Sequence, residues 1–210
     1  MRDASAPEVV VRRLALYLRV LNGTSADDKD YISSQELGER TSVSAAQVRK
    51  DLAFFGEFGK QGVGYEVRFL RGEIARILNV DRVVRFVILG AGELGVALAR
   101  YTQRRRETEH RYPFLLAGLF DVDPSKIGQM VDGTAIEHLD ALQDAVKEGG
   151  VRMALITVPA QAAQEAVNAA VRAGIRAILN FAPKSVSVPE NVRLHNADVT
   201  LDLHHLAYFL

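Results

Sequence analysis

The stretch Arg85-Phe86-Val87-Ile88-Leu89-Gly90-Ala91-Gly92-Glu93-Leu94-Gly95 decides the fold of this chain. Its four consecutive apolar residues, 86–89, are typical of a strand that is covered on both faces. Three glycines then follow at the G-x-G-x-x-G spacing. The apolar spacing behind them is i, i+3, i+4, i+7, which indicates a helix. That stripe is formed by Leu94, Ala97, Leu98 and Tyr101. The order of strand, glycine turn and helix predicts a parallel α/β sheet.

A glycine turn of this kind is the usual binding site of a dinucleotide pyrophosphate. The first glycine permits the tight turn, the second lets the pyrophosphate approach the backbone, and the third lets the helix pack against the strand. The free N–H groups and the positive end of the helix dipole then face the phosphates. A tight turn without a ligand fits the same pattern. We predict a nucleotide site at Gly90, Ala91, Gly92, Glu93, Leu94 and Gly95.

An acidic residue, Asp121, follows the next predicted strand, at residues 114–120. At that place in such folds a carboxylate accepts hydrogen bonds from the adenosine ribose and repels a 2′-phosphate, which favours NAD(H) over NADP(H). Asp121 lies 26 residues after Gly95, whereas about 20 is usual. The polar run at residues 104–111 accounts for the difference. The alternative is that Asp121 only caps the turn after the strand.

Composition excludes several classes of protein. The 210 residues carry 26 basic and 26 acidic side chains, so net charge predicts no particular partner. Cysteine is absent, which excludes disulfides, thiol catalysis and cysteine metal sites. No apolar run reaches the roughly 20 residues that span a bilayer, and the N-terminus lacks a signal-peptide core. A cytoplasmic protein is expected.

The first 80 residues are predicted to form a helix-turn-helix unit. Residues 7–22 have the apolar spacing of a helix that ends at Asn22-Gly23. Capping boxes at 33–36 and 44–47 begin two short helices, and residues 41–43 form the turn between them. Two capped helices joined by so short a turn are typical of this motif.

The second short helix is expected to have two different faces. Its inward face consists of Val48, Leu52 and Phe55. Its outward face carries small residues, an amide and two cations, which suits the DNA major groove. An ordinary solvated helix face is the alternative. The glycine-rich segment at residues 56–67 then predicts a β-hairpin wing, with Lys60 placed to reach a phosphate.

The α/β alternation continues to the end of the chain. Strands are predicted at residues 153–158 and 177–180. Because the carboxyl ends of parallel strands line the ligand crevice, residues 157–159 and 180–182 are expected to border the cofactor, although each could be a simple turn. The tail has an apolar helix face with Asp202 as its expected cap. So many apolar groups on a short helix favour burial against a partner subunit over burial against the helix's own sheet.

Several segments together resemble the Rex family of redox-sensing transcriptional repressors, from about Pro7 to Leu210. The family's recognition helix and wing are similar to Arg49-Lys50-Asp51-Leu52-Ala53-Phe54-Phe55-Gly56 with Gly59, Gly62, Gly64 and Tyr65. Its nucleotide-binding segments are similar to Gly90-Ala91-Gly92-Glu93-Leu94-Gly95, Phe120-Asp121-Val122-Asp123-Pro124, Thr157-Val158-Pro159 and Ile178-Leu179-Asn180-Phe181-Ala182-Pro183.

The resemblance implies a homodimer that binds operator DNA, responds to the NADH/NAD+ ratio and is released by NADH. It implies an α/β fold with a winged-helix DNA-binding domain at residues 1–80 and a Rossmann-type parallel-sheet domain that binds NAD(H) at 81–197. A domain-swapped C-terminal helix is expected at residues 198–210. The resemblance implies no catalytic residues and no metal.

The family's functional residues carry over to particular positions. The expected DNA-binding residues are Ser44, Ala46, Gln47, Arg49, Lys50, Phe54, Lys60 and Gly62. Beyond the glycine turn, the expected cofactor-binding residues are Tyr101, Asp121, Val122, Lys126, Thr157, Val158, Pro159, Asn180, Phe181 and Ala182. The expected switch network consists of Arg19, Tyr101 and Asp198.

One departure and two alternatives accompany the resemblance. The family often has serine and tyrosine where this chain has Ala53 and Phe54, so operator affinity or preference is expected to differ if those hydroxyls contact phosphates. One alternative is an NAD-dependent dehydrogenase with a helical appendage, which would need an acid such as a histidine near the nicotinamide. None of the five histidines is predicted at the end of a strand. The other alternative is a nucleotide fold that binds a CoA-type ligand.

Overall fold

Two units make up the chain in a computed structural model, which describes residues 6–24, 30–60 and 62–210. The contacts within the chain divide it into Met1–Arg82 and Val83–Leu210. Residues 25–29 of the predicted polar loop, and Gln61 in the predicted wing, lie outside the described residues. Each unit has a core of its own.

The first unit contains the predicted helix-turn-helix. Its helices are α1 (Glu8–Asn22), α2 (Ser34–Glu39), α3 (Ala45–Ala53) and α4 (Val67–Ile77). Both predicted N-caps are confirmed, since Ser33 accepts from the Glu36 N–H at 3.0 Å and Ser44 from the Gln47 N–H at 3.2 Å. Such caps satisfy backbone donors that a helix start leaves unpaired. They therefore fix where α2 and α3 begin.

The wing of the first unit belongs to a small antiparallel sheet. Its strands are β1 (Tyr31–Ile32), β2 (Gly59–Lys60) and β3 (Gly64–Glu66), in the order β1-β3-β2. The hairpin of β2 and β3 confirms the prediction for this glycine-rich segment. Strand β1 was not predicted because two residues show no alternation; its pairing with β3 forms it.

The second unit is built on a seven-stranded sheet. Its strands are β4 (Val84–Leu89), β5 (Phe114–Asp121), β6 (Met130–Val131), β7 (Thr134–His138), β8 (Met153–Ile156), β9 (Ala177–Asn180) and β10 (Arg193–Asn196). Its helices are α5 (Glu93–Thr108), α6 (Leu142–Gly149), α7 (Ala163–Ala173) and α8 (Val199–Ala207), with 3-10 turns at Leu139–Ala141 and Ala160–Ala162.

The strand order of this sheet determines where a ligand can bind. The order is β10-β9-β8-β4-β5-β7-β6, and every pair except β6 with β7 is parallel. The chain therefore builds outward from β4 in one direction and then, from β8, in the other. In such sheets ligands bind outside the carboxyl ends of the strands at this reversal point. The predicted parallel α/β fold is confirmed.

Three details differ from the sequence-based prediction. The hairpin of β6 and β7 and the edge strand β10 were not predicted, because these strands have only two to five residues and no continuous apolar run. Helix α8 begins at Val199, and its N-cap is Asp198 rather than Asp202. The Asp198 carboxylate accepts from the Thr200 N–H at 2.9 Å. In the described ranges every helix is too short or too polar to cross a bilayer.

The face of helix α5 that is buried is not the face that carries its predicted apolar stripe. The buried residues are Gly95, Ala99 and Thr102, whereas Leu94 and Tyr101 of the apolar stripe are exposed. The start of the helix lies against the glycine turn, where a Cβ on Gly95 would lie 1.9 Å from the Gly90 carbonyl oxygen, so only the smallest residue fits there. Leu98 of the apolar stripe still packs partly against the core, whereas Leu94 and Tyr101 remain on the surface of the single subunit.

Candidate nucleotide and nucleic-acid sites

A cavity of about 810 Å³ opens in the second unit beyond the carboxyl ends of β4, β5 and β8. This volume falls in the range of small-molecule and cofactor sites. The lining is mostly apolar, and its charged residues are Asp121, Lys126 and Glu165. The cavity therefore lies where the strand order places a dinucleotide site.

The three glycines of the turn meet different surroundings. Gly90 has φ +106°, a backbone region that favours glycine, and a Cβ there would lie 2.8 Å from the carbonyl carbon of Thr157. A Cβ on Gly95 would lie 1.9 Å from the carbonyl oxygen of Gly90. A Cβ on Gly92 would meet nothing within 4 Å. Gly90 and Gly95 are thus required by the fold, and Gly92 leaves the open space that a pyrophosphate would fill.

The Asp121 carboxylate is bonded on all sides within the protein. Its Oδ2 accepts from the Ala91 N–H at 2.7 Å and from Lys126 Nζ at 3.0 Å. Its Oδ1 accepts from the N–H groups of Val122 and Asp123 at 2.8 and 2.9 Å. Burial alone would raise the pKa of Asp121, but the hydrogen bonds from the Asp123 N–H, Lys126 and the Ala91 N–H outweigh burial and lower it. These four contacts fix the position of the carboxylate that the sequence predicts to accept from a ribose.

Thr157 touches the glycine turn from the opposite side. It follows β8, and its hydroxyl lies 2.8 Å from the Gly90 carbonyl oxygen and 3.1 Å from that of Leu89. The backbone N–H of Thr157 also donates to Leu89, at 2.8 Å. A residue predicted to border the cofactor therefore bonds to the glycine turn.

The structure gathers most of the predicted cofactor residues around the cavity. Those that line it are Gly90, Gly92, Leu94, Asp121, Val122, Lys126, Thr157, Val158, Pro159 and Phe181. The remaining predicted residues are outside its lining, namely Ala91, Glu93, Gly95, Tyr101, Asn180 and Ala182. Asn180 is only 1% exposed, and its amide nitrogen donates to the Lys184 carbonyl at 3.0 Å and to Asn196 Oδ1 at 2.9 Å. Its hydrogen bond to Lys184 therefore fixes the loop that follows β9.

Sequence reasoning missed one wall of the cavity. The residues that it did not place at the site are Leu89, Leu139, Ala162, Glu165 and Ala166, while Phe120 and Pro183 lie in segments that the resemblance assigned to nucleotide binding. Three of them, at 162, 165 and 166, have the i, i+3, i+4 spacing of one helix face. That spacing directly after Pro159 was the available signal, but which side of α7 faces the strand ends depends on how the helix packs.

Each of the three predicted switch residues has neighbours within its own unit. Tyr101 is 53% exposed on α5, and its hydroxyl accepts from Arg105 Nη1 at 3.1 Å. Arg105 in turn pairs with Glu109, which lies in the polar run noted in the sequence. Asp198 caps α8, and Arg19 is exposed in the last turn of α1. Across residues 62–210 no hydrogen bond joins Tyr101 to Asp198.

The predicted DNA-binding residues belong to α3, its two ends and the wing of the first unit. All but one are exposed, namely Ser44, Ala46, Arg49, Lys50, Phe54, Lys60 and Gly62. A groove of about 590 Å³ runs between the end of α3 and the wing, and Arg49, Phe58 and Lys60 are among its lining residues. Arg49 donates to the Ser34 hydroxyl at 2.9 Å, which directs the guanidinium along this groove.

Gln47 is the exception because it belongs to a buried network. Its amide nitrogen donates to Asp51 Oδ1 at 2.7 Å, and Asp51 is only 1% exposed. The same carboxylate pairs with Arg13 of α1 and accepts from the Tyr17 hydroxyl at 2.8 Å. Burial would raise the pKa of Asp51, but hydrogen bonds from Arg13, Gln47 and Tyr17 outweigh it and lower the pKa. This network fixes α3 against α1.

Replacing Asp51 with asparagine is expected to destabilise the first unit by about 3 kcal/mol, because it leaves the Arg13 charge unpaired beside a buried site. Amide exchange in α1 and α3 would measure the loss, with Asp81→Asn, an exposed position, as the control. Because folding lowers the pKa of Asp51, its carboxylate stabilises the folded unit at pH values above the ordinary pKa of 3.8. This contribution to stability is lost as the pH falls below 3.8 toward the pKa in the folded state. Unchanged exchange in Asp51→Asn would contradict the role of the network.

Two family models match this chain, one in each of its two units. A family model described as "Putative DNA-binding protein N-terminus" matches residues 5–53, and one described as "CoA binding domain" matches residues 81–184. The redox-sensing transcriptional repressor Rex of Natranaerobius thermophilus is 44% identical over 204 residues, 97% of this chain and 91% of its own.

Solved structures agree with this sequence relative. RSP in complex with NAD+ and operator DNA has a TM-score of 0.88 and 34% identity, over 98% of this chain and 93% of its own. RSP in complex with NADH has a TM-score of 0.83 and 32% identity, over 98% and 94%. RSP is a Rex-family repressor.

The fold and the site define a winged-helix regulator with a nucleotide-binding domain. Its relatives over nearly the whole length are named repressors, so it is a regulator and not the dehydrogenase considered as an alternative. The chain belongs to the Rex family of redox-sensing transcriptional repressors.

Proposed function

We propose that this chain is a cytoplasmic repressor that binds operator DNA as a homodimer and is released when NADH binds. The observation that carries the proposal is a dinucleotide-type cavity on the same chain as an exposed cationic helix-turn-helix face. The relative RSP was solved with NAD+ and operator DNA, and with NADH. Residues 1–80 would bind DNA, 81–197 would bind NAD(H), and 198–210 would exchange between subunits.

The DNA-binding surface would use its residues in two ways. Arg49 and Lys50 of α3 would reach base edges and phosphates, since cations on a recognition helix do both. Lys60 of the wing would contact a phosphate. In a homodimer the two recognition helices must lie about 34–36 Å apart to enter successive major grooves. A ligand that changes this spacing would therefore release the DNA.

The cavity fits NADH on two grounds. The open space at Gly92 suits a pyrophosphate, and the mostly apolar lining suits the neutral reduced ring better than the cationic oxidised one, because desolvating a charge is unfavourable. A ligand shifts an equilibrium only by its differential affinity for the two states. A 100-fold preference corresponds to about 2.7 kcal/mol. We assign Arg19, Tyr101 and Asp198 to the switch between the two states.

The homodimer is supported by an apolar surface that one subunit leaves uncovered. Large apolar side chains on α8 and just after it are exposed, namely Val199, Leu201, Leu203, Leu206, Tyr208, Phe209 and Leu210. A contiguous exposed patch of this kind marks an interaction site. A second copy of the chain would bury it, with each C-terminal helix packed on the partner subunit.

Titration of the repressor–DNA complex with cofactors tests the function. DNA fragments selected by the protein from a random-sequence pool would serve as the operator. In a gel-shift assay, NADH is expected to release the DNA at concentrations at which NAD+ and CoA do not. Operator binding that NADH leaves unchanged would contradict the proposal, and release by CoA alone would favour the CoA-type alternative.

Replacing Lys50 with alanine tests the DNA-binding face. Loss of one phosphate contact is expected to lower the salt-dependence slope of operator binding by about one, whereas a base contact would relax the preference at one base pair by about 1–3 kcal/mol. Fluorescence anisotropy at several salt concentrations would measure both. Lys147→Ala, an exposed lysine on α6, is the matched control and is expected to change neither.

A further inference from the structure

We propose that Asn180 is a positioning residue that couples the cofactor cavity to the C-terminal helix α8. This inference rests on the proposed function and deepens it, because it names a residue through which NADH binding would reach the helix that we assign to the partner subunit. The Asn180 side chain lies outside the cavity lining and is buried. Its amide joins two segments of the second unit to which the proposed function gives different tasks.

The first segment is the loop that follows β9. The Asn180 amide nitrogen donates to the carbonyls of Lys184 and Ala182, at 3.0 and 3.3 Å, and its amide oxygen accepts from the Ala182 N–H at 3.1 Å. This loop carries Phe181 and Pro183, which line the cavity. One buried side chain therefore holds the backbone on both sides of Pro183.

The second segment is the end of β10, directly before α8. The same amide nitrogen donates to Asn196 Oδ1 at 2.9 Å, and the Asn180 carbonyl accepts from the Ala197 N–H at 2.8 Å. Asn180 and Asn196 are also register partners in the parallel pair of β9 and β10. The residue after Ala197 is Asp198, which caps α8 and belongs to the predicted switch. The start of α8 is thus bonded to the residue that holds the cavity loop.

A shared donor makes the two segments depend on each other. The amide nitrogen of Asn180 has two N–H bonds for three acceptors, so a ligand that shifts the loop after β9 changes the bond that Asn196 receives. An amide that loses its partners in a buried site is costly, so a change at one segment must be met by a change at the other. Coupling between two sites is carried by a connected element of this kind, which both sites bias.

Asn196→Ala tests the coupling, because it removes the bond to the tail and leaves the bonds from buried Asn180 to the loop. Asn196 is exposed, so the fold should be kept. NADH affinity without DNA and operator affinity without NADH should stay within about 2-fold of wild type. Saturating NADH should weaken operator binding roughly 5-fold less than in wild type, which is the factor expected for one neutral hydrogen bond. Fluorescence of the reduced ring measures NADH affinity, and anisotropy of a labelled operator measures DNA affinity.

Two further variants are the controls. Asn196→Asp keeps an oxygen acceptor at the same place and should respond to NADH as wild type does. Asn191→Ala removes an exposed asparagine earlier in the same segment and should change none of the three affinities.

Each outcome decides for or against the coupling. If Asn196→Ala responds to NADH as wild type does, or if Asn196→Asp loses the response to the same degree as Asn196→Ala, the inference is wrong and the proposed function stands. If Asn196→Ala instead weakens NADH binding to the DNA-free protein by the same factor, Asn196 only supports the cavity, which also overturns the inference. If the operator affinity of wild type does not respond to NADH, the proposed function fails and the inference fails with it.

Discussion

Replacing Gly95 with alanine is expected to abolish the response to NADH. The new Cβ would lie 1.9 Å from the Gly90 carbonyl oxygen and 2.8 Å from the Thr157 hydroxyl, so the helix start must move away from the turn. Displacing backbone costs more than the 1–3 kcal/mol usual for an overpacked core. NADH affinity should fall by at least about 100-fold, or 2.7 kcal/mol, as measured by fluorescence of the reduced ring.

Gly92→Ala provides the matched comparison, because its Cβ would meet nothing within 4 Å and its φ of −79° suits alanine. The fold should be as stable as wild type, whereas the methyl group should still weaken NADH by occupying the open space of the cavity. Gly95→Ala is therefore expected to lower both the melting temperature and the affinity, and Gly92→Ala only the affinity. A Gly95→Ala protein that keeps wild-type stability and NADH affinity would show that the turn adapts and that our account of it is wrong.

Placing charges on the apolar face of α8 is expected to remove operator binding. Leu203 and Leu206 are 58% and 60% exposed in the single subunit, so changing both to aspartate should leave the subunit folded. Fully burying a leucine stabilises by about 1.5–3 kcal/mol, and two of them are lost per subunit. The dimer should dissociate in sedimentation experiments. Operator affinity should fall by about 1,000-fold, toward non-specific binding.

Thr200→Asp is the control for this double variant. It adds a negative charge to the first turn of the same helix, where the helix dipole favours an acidic residue. This variant should remain a dimer and bind the operator as wild type does. If Leu203→Asp/Leu206→Asp also stays dimeric, then α8 does not carry the subunit contact and another surface must, such as the exposed face of α5 with Leu94 and Tyr101.

Local sequence predicted the parts of the molecule that depend on short-range chemistry. Ser33 and Ser44 cap their helices because a hydroxyl two or three residues ahead of a free N–H needs no tertiary contact. The glycine turn could be predicted because the spacing 90, 92 and 95 follows from local backbone geometry. Residues 86–89 of β4 are apolar throughout, and all four are buried. Asp121 was also placed correctly at the end of its strand.

Contacts between distant residues could not be predicted. The ion pair of Arg13 with Asp51 joins residues 38 positions apart. The sequence around each residue does not show that the other is its partner. The same is true of Thr157 and Gly90, 67 positions apart. Glu165 lines the cavity only because α7 packs with that side toward the strand ends. The apolar stripe of α5 did not predict its buried face either, because the helix start lies against the Gly90 carbonyl oxygen, where only a small residue fits.

The sequence by itself determined the order of elements, the glycine turn and the two capped helices, because each depends on residues within about one helical turn of each other. Tertiary structure alone decided which polar groups that are distant in sequence form hydrogen bonds with each other. Asp121 accepts from the Ala91 N–H because β4 and β5 pair side by side and bring the two within hydrogen-bond distance. A side chain's identity shows which bonds it can make; which it does make depends on the neighbours that folding brings to it.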